Sequence, residues 1–452
     1  MPTRSSASVF VCDDCGGHAA KWQGQCPHCA AWNTLVQRTA PRASARPSAP
    51  SAAPQLLGRV GSEASDRLAS GHAELDRVLG GGIVRGSVIL LGGDPGIGKS
   101  TLLLQVAAHA AREHPVLYAS GEESLPQVSL RARRLGLAAG ELHVLAETDL
   151  ASVLAQASAR RAALLVVDSI QSLQSSSVVA SAGAITQLRE CTAELVRFAK
   201  SEGTAIVIVG HVTKEGTLAG PRVLEHLVDT VLYFESEVTS RYRIVRASKN
   251  RFGPVGELGF FAMTDEGLKE VRNPAAIFLA RAREPAPGSL VMVTREGGRP
   301  LLIELQALVD RMRFGAPRRI AQGLDANRLA MLLAVLSRHG GVSLQEHDVF
   351  VNVVGGIEIS ETAWDLPVVL ALVSSLKDRA LEQSVVAFGE LGLTGEVRPV
   401  AYGEDRLREA QKQGFRRALV PRDNVPRKAL PGIEVQGVAR VTEALELAFG
   451  ER

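Results

Sequence analysis

Long apolar runs are missing from this 452-residue chain. No stretch approaches the ~18 residues of a membrane span, and the N-terminus has no secretory apolar region. A membrane protein is therefore not indicated, and the cytoplasm is the expected compartment. Aromatic residues are scarce, at 4% against 46% hydrophobic, so globular cores of Ala, Leu and Val are expected. Charge of one sign is lacking too: the net value of +3 excludes a general polyanion sponge, and any polyanion site has to be a local arrangement. The bias that exists lies in residues 1–60, where Arg4, Lys21, Arg38, Arg42, Arg46 and Arg59 face only Asp13 and Asp14. Cysteine is rare. Four of the five stand in two CxxC pairs, which fits metal-bound thiols in a reducing compartment better than a disulfide scaffold.

The length allows two or three cored domains, and the sequence divides accordingly. Residues 1–37 form a compact Cys/Trp unit. Residues 38–57, "RTAPRASARPSAPSAAPQLL", are rich in Pro, Ala, Ser and Arg and read as a mobile tether. From 58 to 272, apolar strand-like runs alternate with helical patterns, which predicts an α/β domain with a mainly parallel sheet. Residues 285–452 carry a second α/β pattern with its own Gly-rich turns.

Cys12-x2-Cys15 and Cys26-x2-Cys29 are ten residues apart. Each pair can bend around one metal, and four thiolates complete a closed tetrahedral Zn2+ shell. A closed shell leaves no place for substrate, so the unit is structural or used in recognition. Trp22 and Trp32 are expected to form its small core, with stacking on nucleic-acid bases as the alternative. Cys191, alone in a helical run, reads as a buried core thiol.

"GGDPGIGKST" holds Gly93-x4-Gly98-Lys99-Ser100 directly after a strand and before the helix "TLLLQVAAHAARE". That context is what a phosphate-binding loop requires. Over Gly93, Asp94, Pro95, Gly96, Ile97, Gly98, Lys99, Ser100 and Thr101, backbone N–H groups can turn inward around phosphates, and the helix N-terminus adds its dipole. Lys99 would neutralise the β/γ phosphates of ATP and Ser100 would ligate Mg2+. "ALLVVDS" ends a buried strand at Asp168, the expected carboxylate for Mg2+. "PVLYASGEES" places Glu122 and Glu123 just past another strand end, where a carboxylate can deprotonate the attacking water; Glu122 is favoured and Glu123 is its helper. His211, at the end of "IVIVGH", either senses the γ-phosphate, passing its state toward Lys214 and Arg222, or is an ordinary hydrogen-bonded strand-end histidine.

A glutamate after the strand that follows the phosphate loop resembles the RecA-like ATPases, among them the DnaB helicases and KaiC. A closer resemblance is carried by "CDDCGGHAAKWQGQCPHCAAWNTL", "LGGGIVRGSVILLGGDPGIGKSTLLLQ", "YASGEES", "HVTKEGTLAGPRVLEHLVDTVLYFE" and "SKNRFGPVGELGFF". Together these span almost the whole chain and resemble the bacterial RadA (Sms) family. That resemblance implies a homo-hexameric ATP hydrolase, a motor on single-stranded DNA that extends recombination intermediates alongside the RecA recombinase. A nucleotide-switched scaffold without motor activity is the alternative.

Residues 285–452 resemble the proteolytic domain of the Lon proteases. "VNVVGGIEISETAWDLPVVLALVSSL" parallels the segment with the Lon nucleophilic serine, and "GELGLTGEVRPVAYGEDRLREA" the one with its lysine. Asp365 and Glu404 stand at those two places. A Ser–Lys dyad needs a hydroxyl and a desolvated amine, and neither carboxylate supplies one, so an inactive domain is expected. Arg311, Arg313, Arg318 and Arg319 make "DRMRFGAPRRIAQG" locally basic, either along DNA or as a solvated loop.

"SKNRFGPVG" remains. Lys249 and Arg251 stand one residue apart before a Gly–Pro turn, after Arg241, Arg243 and Arg246. Alternation along an extended strand would put both on one side. In DnaB-like rings, cations near this place reach the neighbouring subunit's γ-phosphate, so both are candidate catalytic groups acting in trans. A solvated hairpin tip and a DNA-backbone contact are the other readings.

Overall fold

The computed structural model describes residues 8–12, 17–28, 30–39, 66–211, 223–235, 241–279, 284–312 and 315–450. Cys15, Cys29, Lys214, Arg222 and Arg313 lie outside them. The chain divides into two units, Met1–Val271 and Arg272–Arg452.

In the first unit the cysteine segment is a small antiparallel sheet of Ser8–Cys12, flanked by His18–Ala19 and Leu35–Thr39. Its interior consists of Cys12, Ala19, Cys26 and Leu35, with Phe10 packed against them. The expectation of a tryptophan core is overturned: Trp22 is 58% and Trp32 70% exposed. Among the described residues the buried positions belong to Cys12, Ala19, Cys26 and Leu35, and both indoles stay in solvent.

The main sheet has nine strands: β1 (Val88–Gly93), β2 (Val116–Ser120), β3 (His143–Ala146), β4 (Leu164–Asp168), β5 (Ala205–His211), β6 (Thr230–Glu235), β7 (Tyr242–Asn250), β8 (Leu258–Thr264) and β9 (Gly267–Glu270). Their spatial order is β9-β8-β7-β6-β1-β5-β4-β2-β3. The six strands from β6 to β3 are parallel, and β7, β8 and β9 add an antiparallel meander. "VILLGG" and "LLVVD" are continuously apolar because both sheet faces are covered. Ile89 and Leu91 pack with α1 (Lys99–Ala110) and α2 (Leu125–Arg134). Val88 and Leu90, pointing the other way, pack with α3 (Leu150–Ala159) and α4 (Ile185–Glu202). Cys191 lies in that second layer, fully buried, and burial pushes its thiol up to about 12.

The second unit has a seven-stranded sheet, β10 (Ser289–Glu296), β11 (Arg299–Arg311), β12 (Arg319–Gln322), β13 (His347–Val353), β14 (Val385–Ala387), β15 (Arg417–Pro421) and β16 (Glu434–Val438), in the order β12-β13-β11-β10-β14-β15-β16. Helix α5 (Ala326–His339) brings Arg328 to Asp365, the first residue of α6 (Asp365–Leu376). Asp365 is fully buried. Its Oδ1 accepts from Arg328 Nε at 3.2 Å, Oδ2 accepts from the same guanidinium's Nη2, and Oδ2 also accepts from the Leu391 N–H at 2.9 Å. Burial raises the Asp365 carboxyl, and Arg328 opposes that rise. Glu404, in the first turn of α7 (Gly403–Lys412), is exposed and pairs with Arg408 at 2.7 Å. The two residues at the dyad positions thus have separate partners. Ser374 donates to Arg379 O at 2.7 Å and Ser375 accepts from Val309 N at 2.9 Å, so both hydroxyls are committed to the backbone.

Removing one partner of a buried pair leaves the other charge uncompensated. Asp365→Ser, which puts a hydroxyl at the place expected for a nucleophile, is expected to destabilise the protein by about 3 kcal/mol and to leave casein uncleaved. Denaturant unfolding and a casein digestion assay check the two parts.

Candidate active site

Parallel pairing brings the carboxyl ends of β1, β5, β4 and β2 to one edge of the sheet. Gly93 is level with His211, and Ser120 is level with Asp168. Such an edge, where the chain leaves β1 for a strand beyond its neighbours, is where open α/β sheets bind ligands.

The loop after β1 depends on its glycines. Gly98 caps α1 at φ +116°, and a Cβ there would stand 2.6 Å from Met263 Cε. A Cβ on Gly93 would stand 2.6 Å from the Phe234 carbonyl. The loop is thus wedged between β6 and β8 with no room for side chains at these two points, while Gly96 faces open space. Ser100 and Thr101, half-buried, begin α1. Lys99 is only 4% exposed, and its ammonium donates to the loop's own carbonyls, Gly93 O at 2.7 Å and Asp94 O at 2.8 Å. Burial lowers it to about 8, although Asp168, Asp94 and Glu122 pull the other way. A cation so held, beside an open turn of backbone N–H groups, is chemically suited to a polyphosphate.

Asp168 ends β4, 7% exposed. Its Oδ2 accepts from the Tyr118 hydroxyl at 2.5 Å, and burial together with Asp168 raises that hydroxyl well above its ordinary range. Glu122 Oε1 accepts from the Ser169 hydroxyl and lies 3.1 Å from His211 Nε2. Glu123 turns elsewhere, to Arg131 on α2. The two glutamates that sequence reasoning treated as partners therefore take different side-chain partners, and Glu122 is the one bonded to Ser169 and His211. His211 meets that cluster through Glu122.

Lys249 and Arg251 lie at the opposite edge. Strand β7 runs antiparallel to β6, so Arg243, near its start, reaches the phosphate loop and donates from Nε to Ile97 O at 3.0 Å. Six residues on, Lys249 is level with Val231 and so with Leu90, three residues short of Gly93. The simple alternation expected here does not hold. A bulge interrupts the register around Ser248, and the strand ends at Asn250, before Arg251. Even so, both side chains turn to one segment: Lys249 donates to Glu225 O and Val228 O, each at 2.8 Å, and Arg251 Nη1 lies 3.7 Å from Asp229 Oδ1. Arg246 pairs with Glu235 at 3.3 Å; together with Arg243 it is committed within the chain. Arg311 and Arg318 are exposed, whereas Arg319 donates to Leu344 O at 2.7 Å and holds a turn.

In the cysteine unit, Cys26 Sγ accepts from the His28 N–H at 3.4 Å, and Ala30 N donates to Cys26 O at 2.9 Å. An N–H turned toward the Cys26 sulfur suits a thiolate bound to Zn2+. Cys12 is likewise buried.

Sequence reasoning missed Tyr118, Ser169 and Gly121, and read Arg243 only as part of a basic strand, not as a contact to the phosphate loop. A signal was available for the first two. Tyr118 is the single polar-tipped aromatic in an apolar strand, and Ser169 directly follows the metal-type aspartate.

A rubredoxin metal-binding model matches residues 10–37, an AAA-domain model residues 53–217, and a model for subunit ChlI of Mg-chelatase residues 328–424. The RadB recombinase crystal structure aligns with 45% of this chain and all of its own, at 21% identity and TM-score 0.36. A KaiC-like protein from Pyrococcus horikoshii aligns with 46% of this chain, at 21% identity and TM-score 0.38. The class is thus a RecA-like ATPase with an N-terminal zinc ribbon and a Lon-like C-terminal unit. The DNA repair protein RadA of Pseudomonas aeruginosa is 54% identical over 98% of both chains. Those of Escherichia coli and Bacillus subtilis are 51% and 47% identical, over 97% and 98% of this chain and 98% and 99% of their own. The chain belongs to the family of the DNA repair protein RadA.

Because burial depresses Lys99, the free protein loses that charge as pH rises through about 8, whereas bound phosphate favours the charged form. ATP affinity is expected to fall above that pH, and binding at pH 9 to take up a proton. Calorimetry in buffers of different ionisation enthalpy reads the proton directly; proton-neutral binding at pH 9 would contradict the assignment.

Proposed function

We propose that this protein is an ATP-driven motor on single-stranded DNA, acting in recombinational repair as a homo-hexamer that extends recombination intermediates with the RecA recombinase. The supporting observation is the placement of its cations. Lys99 serves the phosphate loop at one edge of the main sheet, and Lys249 and Arg251 occupy the other edge. A rigid sheet keeps that second pair from its own nucleotide, so the natural phosphate for it is a neighbour's.

In this reading Gly93–Thr101 cradle ATP, Lys99 neutralises the β/γ phosphates, and Ser100 and Asp168 hold Mg2+, which supplies charge stabilisation when bound. Glu122 orients and deprotonates the attacking water. Lys249 and Arg251 complete the adjoining site in trans, which makes hydrolysis dependent on assembly. Cys12, Cys15, Cys26 and Cys29 hold Zn2+. The scaffold alternative predicts no coupling of turnover to DNA. A Lon-like protease is disfavoured by Asp365 and Glu404.

Mixing distinguishes cis from trans. Lys99→Ala and Lys249→Ala proteins, each inactive alone, are expected to recover part of the ATPase when combined, because a mixed ring contains junctions with both cations intact. Failure to complement sinks the trans reading. DNA-stimulated turnover with strand displacement supports the motor; unchanged turnover and no displacement favour the scaffold.

The exposed ribbon tryptophans allow a direct test of DNA contact. The chain has three tryptophans, and Trp364 is buried in the other unit. If Trp22 and Trp32 stack on bases, oligo(dT) quenches the emission, and Trp22→Phe with Trp32→Phe abolishes the quench. A quench that survives both substitutions excludes the ribbon as the stacking surface.

A further inference from the structure

Ser169 is the first residue after Asp168 and precedes a one-turn helix, Ile170–Ser172. Serine at such a position ordinarily caps the turn with its side chain, yet here the hydroxyl makes no cap. It is fully buried and donates instead across the strand edge to Glu122 Oε1. The surrounding backbone is built for that reach. Gly121 N donates to Asp168 O at 2.9 Å, and Ser172 Oγ donates to Ser169 O at 2.7 Å. A Cβ on Gly121 would stand 1.9 Å from Ser172 Oγ. Only glycine lets the Gly121–Glu122 bend sit this close to Ser169–Ser172.

We infer that Ser169 is a positioning residue for the base: it fixes Oε1 of Glu122 so that Oε2, which accepts no hydrogen bond among the described residues, is the oxygen offered to water. The inference rests on the reading of Glu122 as the base. It adds a geometric link, since the serine shares its peptide bond with Asp168. Base and metal-type carboxylate are then held in one frame by a single dipeptide. Two basic groups stand by Glu122: His211 from β5, 3.1 Å from Oε1, and Lys99 from α1, whose ammonium feels the Glu122 charge.

The experiment is Ser169→Ala in the full-length protein, with Glu122→Gln and the double variant beside it. Expected are a fall in kcat of about tenfold or more, unchanged KM for ATP, and an unchanged melting temperature. On the Glu122→Gln background, Ser169→Ala should cost nothing further, because the base it positions is gone. A variant with wild-type kcat overturns the inference, as does a loss of equal size with and without Glu122. If Glu122→Gln itself hydrolyses ATP normally, the base assignment fails first, and that result is separate from the effect of Ser169.

Discussion

The parallel register of the central strands is the constraint on which the rest depends. Because β1, β5, β4 and β2 run the same way, Gly93 ends level with His211 and Ser120 with Asp168. Four strand ends, each polar after an apolar run, thereby deliver a loop, an imidazole, a carboxylate and a glutamate-bearing bend to one edge. No single segment contains the site. Hydrophobic packing on both faces of the sheet fixes that edge, because each strand is clamped between two helical layers. The chemistry is polar, but its accuracy comes from apolar burial.

The same sheet also separates functions. Antiparallel return of β7 carries one end to the phosphate loop, where Arg243 grips Ile97 O, and the other end to the far edge with Lys249 and Arg251. One strand therefore touches the chain's own nucleotide loop and presents cations away from it. In the C-terminal unit an analogous economy holds: the position of a nucleophile is occupied by a buried aspartate paired with Arg328. Desolvation makes such a pair costly to break, so Asp365 and Arg328 form a structural joint between α5 and α6.

Much was legible in the sequence. The loop between β1 and α1 and the strand-ending Asp168 are local patterns, each contained within a few residues whose spacing reflects backbone geometry. So was the burial of Cys191. Less legible were the ribbon tryptophans, expected inside and found outside, because the size of a core cannot be judged without its walls. The alternation expected for Lys249 and Arg251 failed for a related reason. A bulge at Ser248 and a strand end at Asn250 depend on pairing with β6, a partner in another segment.

By itself the sequence determined the chemical types present and the local turns that hold them, since glycine spacing, metal-ligand spacing and apolar periodicity act over short distances. Only the tertiary structure decided which of two adjacent glutamates faces the phosphate loop. Arg131 takes Glu123, while Ser169 and His211 take Glu122. Tertiary structure also turned Lys249 and Arg251 toward Glu225, Val228 and Asp229. Both outcomes depend on long-range pairing, where side chains distant in the chain compete for the same hydrogen bonds, and that competition has no trace in residue order.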